Sequence, residues 1–104
     1  MELEKILLKV LMDRTASISA RDDAAMDLAD FDSEAALQGL ISVASDGSDN
    51  ALVVASCGAS VAEVMIRAGR IDEGVLNSLA DAARAEAYAL INSQRPAKPG
   101  TPYR

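Results

Sequence analysis

Apolar residues recur at intervals of three and four along most of this chain, and that helical period is its dominant signal. Leu3, Ile6, Leu7, Val10 and Leu11 share one face of a helix predicted over residues 3–13, with Glu2, Lys5 and Lys9 turned outward. Residues 15–19 are polar, lack the period and read as a connection. A second helix is predicted over 20–30, with Ala24, Ala25, Leu28 and Phe31 facing inward. Ser19, three residues before Asp22, offers a capping arrangement, and Asp22 and Asp23 suit a first turn, where unpaired amide hydrogens favour negative charge. After a short turn, Ser33 caps a third helix over 34–45 whose inner stripe is Leu37, Leu40, Ile41 and Ala44. So brief a connection predicts that the second and third helices pack antiparallel.

Residues 46–50, Asp-Gly-Ser-Asp-Asn, make the clearest break. Beyond them 51–57 is helical by pattern, Gly58 is expected to interrupt, and the capping box from Ser60 to Glu63 is expected to restart or continue a helix that runs to residue 67 or 68 and ends at Gly69. Asp72 caps a last, long helix to residue 93, carrying Val75, Leu76, Leu79, Ala80, Ala83, Ala87, Leu90 and Ile91 on its inner side. Residues 95–104 hold Pro96, Pro99 and Pro102 and no apolar period, which predicts a disordered tail. The expectation is one all-α domain over residues 1–94, of about five helices.

An echo runs through the pattern. Residues 24–28 and 37–40 find counterparts in 61–65 and 75–79, offset by 37 to 39 residues, the length of one helix pair. Arg21, Ala24, Ala25 and Leu28, followed by Ala36, Leu37 and Leu40, spell Arg-x-x-Ala-Ala-x-x-Leu, a brief acidic turn and Ala-Leu-x-x-Leu. In this the chain resembles HEAT-like repeat proteins over about residues 20–93. The second unit departs from the pattern, lacking the Arg-x-x-Ala-Ala opening and carrying Cys57 and Gly58 where the helix should be unbroken. The resemblance implies a short α-solenoid of antiparallel helix pairs that recognises other proteins; small bacterial members resemble immunity proteins that neutralise toxins. It specifies fold better than function.

Charge narrows the partner. Ten basic residues against sixteen acidic ones give a net charge of -6, so phosphate backbones and anionic membrane surfaces are repelled by the molecule as a whole, and a basic protein is favoured. Aromatics are 3% of the chain and Trp is absent, leaving few of the large anchors that dominate tight interfaces. Cys57 is the single cysteine, which excludes an internal disulfide and fits a reducing compartment. No apolar run approaches the roughly twenty residues of a membrane span, and the cytoplasm is the expected location.

The strongest local feature is acidic. Asp22, Asp23, Asp27, Asp30, Asp32 and Glu34 place six carboxylates in thirteen residues with no Lys or Arg among them. Asp23, Asp27 and Asp30 share a helical face, and Asp32 and Glu34 adjoin it. A solvated, partly capping face is the plain reading; a docking face for a basic protein is the functional one. Asp46 and Asp49 add a second acidic group at the mid-chain turn, where a calcium loop is excluded because Cys57 stands where a bidentate Glu is required. If the concave side binds, Gln38 and Ser42 are its polar contacts. Without histidine, Cys–His and Ser–His chemistry is excluded, and neither metal nor cofactor is expected. The sequence therefore points to a non-enzymatic binding module, monomeric when free and heterodimeric when bound, an immunity protein that covers the active site of a basic toxin or nuclease domain. A structural or adaptor subunit of a larger complex is the alternative.

Overall fold

A computed structural model of the chain describes residues 2–94, and these form six α-helices with no strand among them: α1 (Glu2–Met12), α2 (Ile18–Leu28), α3 (Glu34–Ala44), α4 (Ala51–Ala68), α5 (Glu73–Ser78) and α6 (Asp81–Gln94). The disorder expected for residues 95–104 lies outside the described residues. Polar side chains fix the helix starts by accepting from otherwise unpaired amides. Ser33 Oγ accepts from Ala36 N at 3.1 Å, Asn50 Oδ1 from Leu52 N at 2.9 Å, and Asp72 Oδ1 from Val75 N at 3.1 Å. Ser17, not Ser19, caps α2, accepting from Ala20 N at 3.0 Å, so that helix starts two residues earlier than its pattern indicated. Gly69 closes α4 as expected, in the left-handed conformation with φ of 72°.

The helices pack as a bundle around α4, which lies against α6, α3 and α2, while α1 covers α2 and α3. The all-α class is as expected, but α2 and α3 touch each other little, so their packing is not that of a tight antiparallel hairpin. The core is a single cluster that includes Leu11, Leu28, Leu40, Val53, Val61, Leu76 and Ile91, all buried. Its small residues let helix axes approach closely.

The second half of the chain departs further from the sequence reading. Gly58 does not interrupt: α4 runs unbroken through it, and the absent side chain admits α6, since a Cβ there would overlap the backbone of Ala83, coming within 2.5 Å of its Cα. Ser60 is accordingly no cap; it is buried inside α4 and donates to Ala25 O at 2.8 Å. Because the helix continues, α4 is also long and apolar enough, by length and composition, to cross a membrane, contrary to the reading of short apolar runs; here the other helices pack on it. Finally, the predicted long last helix is two. Leu79 is extended, with ψ of 151°, and Ala80 N donates at 2.9 Å to Ala44 O, the C-terminal end of α3, before α6 begins. Arg84 reaches back to the end of α5, donating to Leu79 O at 3.2 Å, where positive charge complements the helix dipole.

The first helix is rotated from its expected setting. Leu3 and Ile6, predicted inward, are 55% and 53% exposed, whereas Glu4 is buried and Leu7, Leu8 and Leu11 face the bundle. Two contacts set the rotation: Glu4 accepts from the Ser33 hydroxyl at the start of α3, and Leu8 lies over Gly39.

Candidate protein-docking surface

The two acidic groups are used very differently. In the α3–α4 turn, Asp49 faces inward with its side chain 6% exposed, and it receives Arg21 in a two-pronged pair, Nη1 to Oδ1 at 2.8 Å and Nη2 to Oδ2 at 2.7 Å. Arg21 is itself buried and donates its Nε to Leu11 O at 2.9 Å. The Arg21 guanidinium holds the Asp49 carboxyl down at about 2, against an ordinary 3.8, and Asp49 in turn raises Arg21. Asp46 pairs with Arg14 and is lowered mainly by the hydroxyl and amide of Ser48, which donate to it at 2.6 and 2.9 Å. Asp49 thus ties α1, α2 and the turn together, and is not placed where a partner protein could reach its carboxylate.

On α2 the carboxylates are outward. Asp23, Asp27 and Asp30 are exposed and make no ion pair among the described residues. Asp22, behind them, accepts from the Ser56 hydroxyl and helps seat α2 on α4. Asp27 and Asp30 edge a groove of about 630 Å³ whose floor is the α4 face carrying Ala55, Ser56, Ala59 and Ser60. Met26 and Leu52, 59% and 57% exposed, and Leu90 line it with apolar surface. Glu63 and Glu86 complete its edge from α4 and α6, and neither makes an ion pair among the described residues. An apolar trough bordered by four carboxylates results, since Asp27, Asp30, Glu63 and Glu86 all line it.

The remaining predicted contacts are dispersed. Asp32, although exposed, accepts from Arg67 Nη2 at 2.9 Å across to the end of α4. Glu34 accepts from Gln38 Nε2 at 2.7 Å within α3. Both line a second, smaller groove between α3 and α4, with Leu37, Ile41, Val64 and Val75. Ser42 is exposed on α3. Of the nine residues singled out from sequence, the structure therefore gathers Asp27 and Asp30 at one groove and Glu34 and Gln38 at another.

Glu63 and Glu86 line the groove although the sequence does not single them out. Glu63 reads in sequence as half of a capping box and Glu86 as scattered charge; only the crossing of α4 by α2 and α6 brings them to the same groove. Met26 gave a signal that went unused, an apolar side chain among the carboxylates of the acidic helix. Cys57 is fully buried, and burial pushes its thiol up to about 12, which removes the thiolate that nucleophilic chemistry needs. Tyr88 is half-buried against the core and donates to Glu73 Oε1 at 2.6 Å, a bond that raises its pKa.

No protein-family model, no curated protein and no solved structure matches this chain.

Proposed function

We propose that this chain is a non-enzymatic binding module for a basic protein, acting as an immunity-type inhibitor that covers the active face of a toxin or nuclease domain. The observation that carries the reading is the outward set Asp23, Asp27 and Asp30, unpaired among the described residues, in a molecule whose other acidic turn is neutralised from within by Arg14 and Arg21. Carboxylates at helical spacing repel one another by about 0.2–0.5 kcal/mol per pair, and a cationic partner converts that cost into attraction. Electrostatic matching of this kind accelerates encounter and rejects wrong partners. The inhibitor is cytoplasmic, monomeric when free and paired one to one when bound.

A second reading, a structural or adaptor subunit, is favoured by one observation: the outward side of α1 presents Leu3 and Ile6, each more than half exposed. Such a face is covered in a complex. The two readings separate in one experiment. Wild-type protein and a variant with Asp23, Asp27 and Asp30 changed to Asn are used to capture partners from the native host, with sedimentation of each protein alone alongside. A basic protein retained by wild type and lost from the variant, together with a monomeric wild type, is the expected result. Equal retention by both removes the acidic face from the function, and self-association abolished by Leu3→Ser transfers it to α1.

A further inference from the structure

The α2 and α6 helices both pack on α4 but leave a gap between them, and the acidic groove is that gap. From its shape and charge we infer that it receives a single basic amphipathic helix of the partner protein; the inference rests on the reading of this chain as a binder of basic proteins and specifies how it binds.

The floor argues for a helix. Ala55 and Ala59 stand one turn apart on α4 with Ser56 and Ser60 beside them, and such small side chains let a second helix axis approach to about 8–10 Å. The same device already works on another side of α4, where Gly58 admits α6 against Ala83. Other modes of peptide capture lack their requirements here. There is no strand among the described residues whose edge a peptide could extend, and the groove has no aromatic lining for a polyproline segment. From Leu52 to Glu63 the floor spans 12 residues of α4, about 17 Å at the helical rise, enough for three turns of a partner helix.

Charge sets its other face. Apolar residues of the incoming helix at i, i+3 or i+4, and i+7 meet Met26, Leu52 and Leu90, while its Lys or Arg residues meet Asp27 and Asp30 on the α2 side, Glu86 on the α6 side and Glu63 at the end of the α4 floor. An acidic or neutral amphipathic helix fits the trough but not its border, and a basic extended peptide satisfies the border but not the trough. The four carboxylates thus select sign, and the apolar floor and walls select conformation.

The test uses the full chain and a fluorescent 16-residue peptide of Leu and Lys arranged at helical period, beside a peptide of the same composition with strict Leu/Lys alternation. Anisotropy is expected to show binding of the first and at least about tenfold weaker binding of the second, equivalent to 1.4 kcal/mol. Met26→Ser with Leu52→Ser, both at well-exposed positions, and Asp27→Asn with Asp30→Asn are each expected to weaken the first peptide about tenfold. Leu3→Ser, at an exposed position of α1 that does not line the groove, is expected to leave it unchanged. Amide shifts of Ala55 and Ala59 on peptide addition report the same contact in the unmutated protein, whatever the variants do to folding. Equal binding of both peptides, lost only from the Asn variant, overturns the helix groove and leaves the acidic-face reading standing. Binding of neither peptide, or unshifted Ala55 and Ala59 amides, overturns the groove, and capture of a basic partner through Asp23, Asp27 and Asp30 then still decides the broader reading separately.

Discussion

Arg21 and Asp49, 28 residues apart, meet through two parallel hydrogen bonds of 2.8 and 2.7 Å, both side chains almost wholly removed from water. A third bond, from Arg21 Nε to Leu11 O, lets the guanidinium on α2 hold both α1 and the α3–α4 turn. A pair of this kind contributes little when replaced as a whole, but removing one partner strands a buried charge. Arg21→Leu or Asp49→Leu is therefore expected to lower stability by about 3–5 kcal/mol, measured by urea unfolding. The double variant is expected to recover much of that loss; a double variant as weak as the sum of the singles contradicts the coupling.

The same pair sets the acid limit of the fold. Asp49 titrates at about 2 in the folded chain against 3.8 ordinarily, so the unfolded state binds its proton first as pH falls. The stability it contributes is complete above about pH 4 and disappears as pH drops through about 2, a loss of ~2 kcal/mol. Unfolding free energies of wild type between pH 5 and 2 should fall more steeply than those of Asp49→Asn. Parallel curves would show that the pair does not titrate as described.

Two glycines give opposite outcomes. A Cβ at Gly58 meets the backbone of Ala83, which cannot move without shifting α6, so Gly58→Ala should cost about 1–3 kcal/mol or more through overpacking. A Cβ at Gly39 meets only the end of the Leu8 side chain, which can turn away. The helical preference of alanine over glycine, about 1 kcal/mol, then offsets the crowding, and Gly39→Ala should lie within about 1 kcal/mol of wild type. Thermal melts of the two variants, compared directly, check this.

Cys57 is a probe of the core. Raised to about 12 by burial, its thiol should resist a thiol reagent at pH 8 in the folded protein and react only as the chain opens. Its modification rate should rise with urea in step with unfolding. Rapid labelling in native buffer would place Cys57 at the surface.

Much of this molecule is written locally. The period of three and four marks the helices, and Ser33, Asn50, Asp72 and Gly69 mark four of their ends, because capping depends on neighbours within a few residues and on the conformational freedom of a single glycine. The motif Arg-x-x-Ala-Ala-x-x-Leu marks buried positions, since Arg21, Ala24, Ala25 and Leu28 are all inside. What that motif leaves open is the partner of its arginine, which lies on another element.

Tertiary structure decided the rest. Gly58 is a breaker by propensity and a packing site in fact, because the close approach of α6 outweighs the small helical cost of one glycine. The break between α5 and α6 follows from Ala80 capping α3, a contact with Ala44 that no local pattern encodes. The setting of α1 follows from Glu4 and Leu8 meeting Ser33 and Gly39, where the apolar stripe alone placed Leu3 and Ile6 inside. The acidic residues divide in the same way: sequence by itself determined their number and their spacing on α2, but only the packing of helices on α4 turned Asp49 inward and brought Asp27, Asp30, Glu63 and Glu86 to one groove. Periodicity is a property of each helix alone; which carboxylate finds an arginine and which faces water depends on where the other helices lie.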